Sequence, residues 1–342
     1  MLAALVLIAA VTQQPGYDED LIQELGHKLF FEKEMSGDGS TSCADCHKPH
    51  LAYTDGRRLA IGRIGGFDAI NGQIVRRHPN GTIGNVNTPT VLYAGHQREQ
   101  FHNGRSISLN DQALQPLTNQ AEMGNNSVQD VMNRLARLES QNPNTPNYRV
   151  LYAKAFGSFG ITPQRTAYAL MRWQSTLNGY NAPIDRYLRG EKDALSPVAK
   201  EGWELFTSRG CIVCHPMPHL RDGRYHNVGI ALRSNSQAPD RANVTGRGED
   251  IRAYKTPTLR ELNLTGPYMH NGSLPTIEDA VHHFNAGGYF LNGAGQAVKD
   301  ARTSPLVRPL GMTRAQVNAI ATFLREGTAS PDRPEITEPE LP

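Results

Sequence analysis

Every cysteine of this chain sits in one of two five-residue segments, Cys43-Ala44-Asp45-Cys46-His47 and Cys211-Ile212-Val213-Cys214-His215. In each, two thiols are separated by two residues and followed at once by a histidine, the attachment signature of c-type haem. The spacing has a chemical reason. Two sulfurs form thioethers to the two vinyl groups of one porphyrin, and the adjacent imidazole is then held under the iron as an axial ligand. Cys43, Cys46, Cys211 and Cys214 are therefore expected to attach two haems c, with His47 and His215 as axial ligands. Four thiolates in two pairs could instead close a zinc tetrahedron, but the pairs would have to meet across the fold and each histidine would lack a role. A thioredoxin-like redox motif accounts for one copy and not for two.

The motifs belong to a longer repeat. The offset that carries Cys43 onto Cys211 also carries Thr88-Pro89-Thr90 onto Thr256-Pro257-Thr258, His102-Asn103-Gly104 onto His270-Asn271-Gly272, and Asp111 onto Asp279. Three separated clusters at one offset mark two homologous domains, each running from motif through a long loop and two turns into a helix. Ahead of the motifs the register shifts, since Leu29-Phe30 and Leu205-Phe206 match only at a longer offset. The expected division is a signal-peptide-like segment at 1–16, haem domains at 17–180 and 181–330, and a tail at 331–342.

The 32 glycines and 22 prolines exceed average usage of about 12% together, which predicts long loops wrapped around something. Between them the periodicity is helical. Val128, Val131, Met132, Leu135 and Leu138 recur at three- and four-residue steps behind a Ser127 N-cap, and 162–177 and 313–325 read the same way. Trp173 and Trp203 fit core positions better than electron relays. No run shows sustained strand alternation, so the class is mostly α: two homologous cytochrome c-like haem domains with long loops. Residues 178–196, with Gly179, Pro183 and Gly190, read as the connection between them.

Charge excludes one group of functions. Lys and Arg number 35 against 33 Asp and Glu, so no basic field exists to hold nucleic acid or an anionic membrane. The apolar run at 2–11 is too short to span a bilayer and has the size of a secretion signal, with a short anchor as runner-up. It lacks a basic leading segment. Haem attachment to cysteine takes place outside the cytoplasm, so signal and motif agree on the periplasm, and no stable membrane insertion is expected.

With these clusters the chain resembles the bacterial dihaem cytochrome c peroxidase and MauG family. The resemblance runs from Leu25 to about Gly327 and rests on both haem motifs, Asn87-Thr88-Pro89-Thr90, Asp111-Gln112-Ala113-Leu114-Gln115-Pro116, Ala121-Glu122-Met123-Gly124, Tyr225-His226-Asn227-Val228-Gly229 and Thr256-Pro257-Thr258-Leu259-Arg260. Leu264-Thr265-Gly266-Pro267-Tyr268-Met269-His270-Asn271-Gly272 is the closest match. The resemblance implies a first haem that meets hydrogen peroxide, a second that relays electrons or stores an oxidising equivalent, and a calcium ion between the domains. Cleaving a peroxide O–O bond needs a group that moves a proton between the oxygens and a polar partner that orients the ligand. Glu122 and Gln112 match those roles, although Glu122 taken alone reads as a solvated or helix-capping acid. Matched calcium ligands are the Asn87 side chain and the carbonyls of Thr265 and Pro267.

Departures from the family pattern concern the irons. Where the family has a tryptophan between the haems this chain has His102, opposite His270 in the repeat. The nearest histidine that could cap the first iron is His78. At the second iron the family ligand, Met or Tyr, is matched by Phe284, which cannot coordinate. His282 or His283 could replace it after a small helical rotation, with Met269 as a weaker choice. The aromatic through which MauG oxidises a partner protein is matched by Arg209. Two classes of function follow: a peroxidase drawing electrons from a small cytochrome c or cupredoxin, or its variant a MauG-like oxidase of a protein, against a non-catalytic dihaem electron carrier. A homodimer is an open option. The distal acid favours an enzyme, because a carrier has no use for Glu122.

Overall fold

The computed structural model describes residues 16–62, 67–70, 73–76, 83–233 and 238–342. The signal-peptide-like segment up to residue 15 and His78 lie outside the described residues.

The first half is built on α1 (Glu19–Phe31), α2 (Cys43–Cys46), α3 (Leu109–Gln112), α4 (Gln115–Thr118), α5 (Val128–Arg137), α6 (Tyr148–Phe156) and α7 (Pro163–Gln174). Their starts are fixed by side chains that take up orphan backbone N–H groups. Asp18 accepts from Asp20 and Leu21, Ser127 from Asp130, Asn147 from Val150 and Thr162 from Arg165. Helix α1 crosses α7 at Gly26, where a Cβ would lie 2.0 Å from the Ala169 carbonyl oxygen. Only glycine lets the two backbones approach that closely. Ile22, Leu25, Leu29, Phe30, Leu170 and Trp173 close the core around the crossing.

The second half repeats this construction after α8 (Pro183–Leu188), with α9 (Pro197–Ser208), α10 (Cys211–Cys214), α11 (Ile230–Arg233), α12 (Ala242–Thr245), α13 (Ile277–Asn285) and α14 (Arg314–Thr322). Helix α9 crosses α14 at Gly202, and a Cβ there would again lie 2.0 Å from a carbonyl oxygen, that of Ala319. Phe323, in the wider turn that ends α14, takes the place of Trp173. Phe206 meets Phe323 at 5.5 Å as Phe30 meets Trp173 at 4.5 Å. Trp203 packs on Phe323 at 5.3 Å, so both tryptophans are packing residues. Among the described residues strands form only two-stranded antiparallel pairs: β1 (Phe67–Ile70) with β2 (Gln73–Arg76), β3 (Tyr225–His226) with β4 (Tyr254–Lys255), and β5 (Phe290–Leu291) with β6 (Ala297–Val298). The mostly α class holds.

Two segments do more than their composition suggests. The connection at 178–196 is anchored, because Asp185 in α8 receives both Nη1 and Nη2 of the fully buried Arg260, at 2.8 and 2.7 Å. The tail at 331–342 returns to the first half. The Thr337 carbonyl meets His27 Nε2 at 3.0 Å, the Glu340 carbonyl accepts from Lys28 Nζ at 2.6 Å, and Ile336 and Leu341 pack on the first core. The tail's hydrogen bonds run through its backbone carbonyls, invisible to side-chain patterning.

At the seam the halves exchange one hydrogen bond twice. The Asn87 N–H donates to the His270 carbonyl at 2.8 Å, and the Lys255 N–H donates to the His102 carbonyl at 2.7 Å. Asn87 and Lys255 are partners in the repeat, as are His102 and His270, so these bonds are related by a local twofold axis.

Candidate active site at the two Cys-x-x-Cys-His motifs

Each motif forms one helical turn, which puts its two cysteines on the same face three residues apart. All four thiols are free. The histidines follow as C-caps with nearly equal backbone angles, φ −111° and ψ 72° at His47, φ −122° and ψ 59° at His215. His47 Nδ1 donates to the Tyr53 carbonyl at 3.1 Å and His215 Nδ1 to the Leu220 carbonyl at 2.8 Å. A carbonyl only accepts, so Nδ1 carries the proton and Nε2 keeps the lone pair, the tautomer a metal-ligating histidine needs. Burial holds both rings neutral, His215 down to about 4. The loops behind the rings are tied alike, Thr90 Oγ1 donating to the Ala52 carbonyl at 2.6 Å and Thr258 Oγ1 to the His219 carbonyl at 2.7 Å.

The surroundings fit a porphyrin rather than a thiolate-bound ion. Burial pushes Cys43 and Cys46 up to about 12 and Cys211 to about 11, so all three resist becoming thiolates. Among the described residues the four thiols do not converge, and the one cluster of three metal-capable groups is Cys214, Asp222 and His226. Cations at the seam, buried Arg221 and half-buried Lys255, add a second fit. Arg221 gives Nη2 to the Tyr93 carbonyl while its buried Nη1 has no partner, and Lys255 gives Nζ to the Glu99 carbonyl. Burial, then the nearby Arg221 charge, lowers Lys255 to about 7. His270 Nε2 is likewise buried without a partner, its ring stacked on Tyr254 at 3.7 Å. A buried cation with an unpaired N–H, as in Arg221, calls for an anion, and haem propionates are carboxylates.

Glu122 lies beside the first motif. Helix α3 ends at Gln112, Pro116 sits in the short α4, and the chain then turns through Asn119, whose carbonyl accepts from the Glu122 and Gly124 N–H groups. Asn119 Nδ2 donates to Glu122 Oε1 at 2.7 Å. Burial lifts the Glu122 carboxyl above its ordinary range, opposed by the Arg105 charge and the Asn119 hydrogen bond. Its charge reaches both Cys43 and Cys46. The capping role falls to Ser127 instead, which leaves Glu122 free of that duty. Gln112 is half-buried at the end of α3, and no hydrogen bond joins it to Glu122. Sequence reasoning missed Asn119 and Arg105, whose guanidinium lies 3.4 Å above the Phe101 ring. The signal for Asn119 was its place three residues before the acid; for Arg105 there was none beyond proximity to His102.

The family described as di-haem cytochrome c peroxidase matches residues 21–193. Methylamine utilization protein MauG of Methylophilus methylotrophus is 32% identical over 268 residues, 77% of this chain and 71% of that protein. The chain belongs to the dihaem cytochrome c peroxidase family. Cytochrome c551 peroxidase of Nitrosomonas europaea is 30% identical over 321 residues, 93% of this chain and 83% of that protein. A solved MauG-like protein associated with microbial copper homeostasis superposes with a TM-score of 0.77 at 25% identity, covering 94% of this chain and 93% of that one. Membership makes the protein an oxidoreductase carrying two c-type haems.

In this dihaem peroxidase relative His282, His283 and Phe284 are placed differently on α13. An α-helix turns about 100° per residue, so His282 lies roughly opposite Phe284 on α13, and it is exposed. His283 is buried one step away with its Nε2–H given to the Val228 carbonyl at 2.7 Å. A small rotation brings neither to the position of Phe284. Met269 is half-buried with φ 74° in the turn before His270. His102 is half-buried, its Nε2 on the Asn87 carbonyl at 2.9 Å, and desolvation lowers it to about 4. Asn87 gives Nδ2 to the Arg57 carbonyl at 2.6 Å, which turns Oδ1 away from that loop. Thr265 and Pro267 precede His270, whose carbonyl holds the Asn87 N–H. Arg209 is exposed. Among the described residues no helix is long and apolar enough to cross a membrane.

Proposed function

We propose that this protein is a periplasmic peroxidase that reduces hydrogen peroxide to water at the first motif, with electrons from a small cytochrome c or cupredoxin entering at the second. The carrying observation is an asymmetry. Glu122, with a raised proton affinity, stands beside Cys43 and Cys46, whereas the repeat pairs Gln112 with Ala280 and Glu122 with Phe290.

Cys43 and Cys46 would hold one haem and Cys211 and Cys214 the other, His47 and His215 would ligate through Nε2, and Arg221, Lys255 and His270 would pair with the propionates. When bound, the first haem would supply the redox chemistry that reduces peroxide. Glu122 does the proton work. Its Oε1 is held by Asn119, so Oε2 accepts a proton from the near peroxide oxygen and returns it to the far one as the O–O bond breaks. A carboxyl lifted toward neutrality is better matched to both steps than an ordinary one. Gln112 orients the peroxide through its amide. Asn87 Oδ1 and the carbonyls of Thr265 and Pro267 would supply oxygen ligands for a calcium ion. Phe284, at the position matched to the family ligand, would offer the second iron no sixth ligand.

Optical and EPR spectra of resting and half-reduced protein, paired with peroxide consumption driven by a reduced small cytochrome, test this reading. Two high-spin irons and turnover are expected. Saturated low-spin irons without turnover would identify an electron carrier, and peroxide consumption tied only to oxidation of an added protein would identify a MauG-like oxidase. A thioether-to-iron charge-transfer band would place Met269 on the second iron.

A further inference from the structure

Three parts of the chain bring aromatic rings together at the seam, outside the groups assigned so far. Tyr93 and His96 come from the first half, Tyr180 from the connection, and His219 from the second half, four residues after His215. The Tyr180 hydroxyl lies 3.3 Å from His219 Nδ1. His96 stacks on His219 at 4.9 Å with 25° between the planes, and the Tyr93 ring lies 5.4 Å from that of Tyr180. The Arg260 guanidinium, fixed by Asp185, stands 5.2 Å from the Tyr180 ring centre.

These groups differ in what they can do with a proton. Burial, followed by the charges of Arg221, His96 and Arg260, lowers His219 to about 4, so its ring is neutral and offers a lone pair. A cation over a phenol ring withdraws electron density and favours the hydroxyl as donor. Tyr180 therefore donates and His219 Nδ1 accepts. Tyr93 is placed differently: its hydroxyl gives its short bond, 2.6 Å, to the Gly179 carbonyl, which cannot take the proton. A phenol loses an electron readily only when its proton has somewhere to go. Tyr180 faces such a base directly, whereas the Tyr93 hydroxyl is bonded to Gly179 and meets the Glu261 carboxyl only at a longer 3.5 Å. Tyr180 is half-buried and His96 exposed, so the pair reaches the molecular surface.

We propose that Tyr180 is a redox-active residue of this protein, giving one electron to the haem pair after peroxide reduction while its phenolic proton passes to Nδ1 of His219. The proposal rests on the peroxide-reducing reading above. Reduction of one hydrogen peroxide to two waters takes two electrons and two protons. With no donor protein bound, Tyr180 supplies one electron and the other leaves an oxidising equivalent on iron. The Tyr180 O–H bond breaks and an N–H bond forms on His219, leaving a neutral phenoxyl radical and an imidazolium. A donor electron and the returning proton restore both.

The test is EPR of the haem-loaded protein frozen rapidly after one equivalent of hydrogen peroxide, with optical spectra of the same samples. An organic radical is expected, narrowed by ring-deuterated tyrosine, lost in Tyr180→Phe, diminished in His219→Phe and retained in Tyr93→Phe. Haem content and the optical response to peroxide should be unchanged in all three. A radical of full size in Tyr180→Phe, or none in the parent despite oxidised haem, overturns the proposal. If peroxide leaves the haem spectrum unchanged, the peroxide-reducing reading has failed. Flash oxidation of the same holoprotein by a ruthenium(III) polypyridyl then decides on Tyr180: a radical absent only from Tyr180→Phe supports it, and one that persists overturns it.

Discussion

The two halves share a frame down to single atoms and part company at one residue. Gly26 and Gly202 make the same helix crossing, His47 and His215 take the same tautomer, and the repeat partners Tyr93 and Glu261 both sit at φ 61°. Ser108 and Thr276 cap α3 and α13 identically, each accepting from the aspartate N–H three residues on. Then α13 runs on to Asn285, while α3 stops at Gln112. The position that holds Phe284 in the second half holds Pro116 in the first. Proline has no N–H for the carbonyl four residues back and clashes with it, so the first helix breaks and the chain turns through Asn119 to present Glu122. One proline thus separates a half with a distal acid from a half without one.

The largest expected effect breaks this contrast. Glu122→Gln keeps the side-chain shape and removes the proton acceptor, so peroxide turnover should fall by roughly 100- to 10,000-fold, the range for general acid–base catalysis. Haem content and the circular dichroism spectrum should not change. Turnover within about twofold of the parent would return Glu122 to an ordinary half-buried acid and leave the two halves chemically alike.

Much of this architecture was legible because the chemistry imposes it. Thioether attachment demands the Cys-x-x-Cys-His spacing, and the caps at Ser127, Thr162 and Thr313 are local, so both appear in the sequence. What was not legible depends on distant backbone or on helical phase. The tail's hold on α1 runs through the Thr337 and Glu340 carbonyls, which every residue has. The Asp185–Arg260 pair joins distant parts of the chain with no periodicity to reveal it. His282 and His283 looked like replacements for Phe284 because adjacency in sequence resembles adjacency in space; on a helix it is not.

Glu261 separates the halves by titration. It is fully buried, accepts from the Ser330 N–H at 2.8 Å, and burial raises its carboxyl to about 7, against the pull of that bond and of Arg333. Its repeat partner, Tyr93, does not titrate in that range. Between the ordinary carboxylate value and about 7 the folded state binds the extra proton. Stability should therefore decline as pH rises through that window and level off above it, by a few kcal/mol at most from about 1.4 kcal/mol per pKa unit. Denaturant melts of the parent against Glu261→Gln across this window check the sign. A flat difference would place the Glu261 charge in solvent.

Gly26→Ala and Gly202→Ala probe the shared frame. Each new Cβ meets a carbonyl oxygen at 2.0 Å, a backbone atom that cannot swing aside. Both should destabilise by the roughly 1–3 kcal/mol of an overpacked core, read as a lower melting temperature. The first should loosen the Cys43 half and the second the Cys211 half, seen by hydrogen exchange at the respective helices. Exchange that rises equally in both halves would show that the tail and the Asp185–Arg260 pair melt them as one unit.

The smallest effect tests whether equivalent bonds carry equivalent weight. Thr90 Oγ1 gives its hydrogen to the Ala52 carbonyl and accepts from the Leu92 N–H at 3.0 Å; Thr258 does the same with the His219 carbonyl and the Arg260 N–H at 3.2 Å. Valine keeps the shape and removes both bonds, so Thr90→Val and Thr258→Val should each cost about 1–3 kcal/mol for the groups left unpaired. Their consequences should nevertheless differ. Ala52 carries no functional side chain, whereas releasing the His219 carbonyl frees the backbone that aims His219 Nδ1 at Tyr180. Thr258→Val should therefore reduce the peroxide-induced radical as well as stability, and Thr90→Val stability alone. Equal radical yields in the two variants would mean that His219 is aimed by its stack on His96 instead.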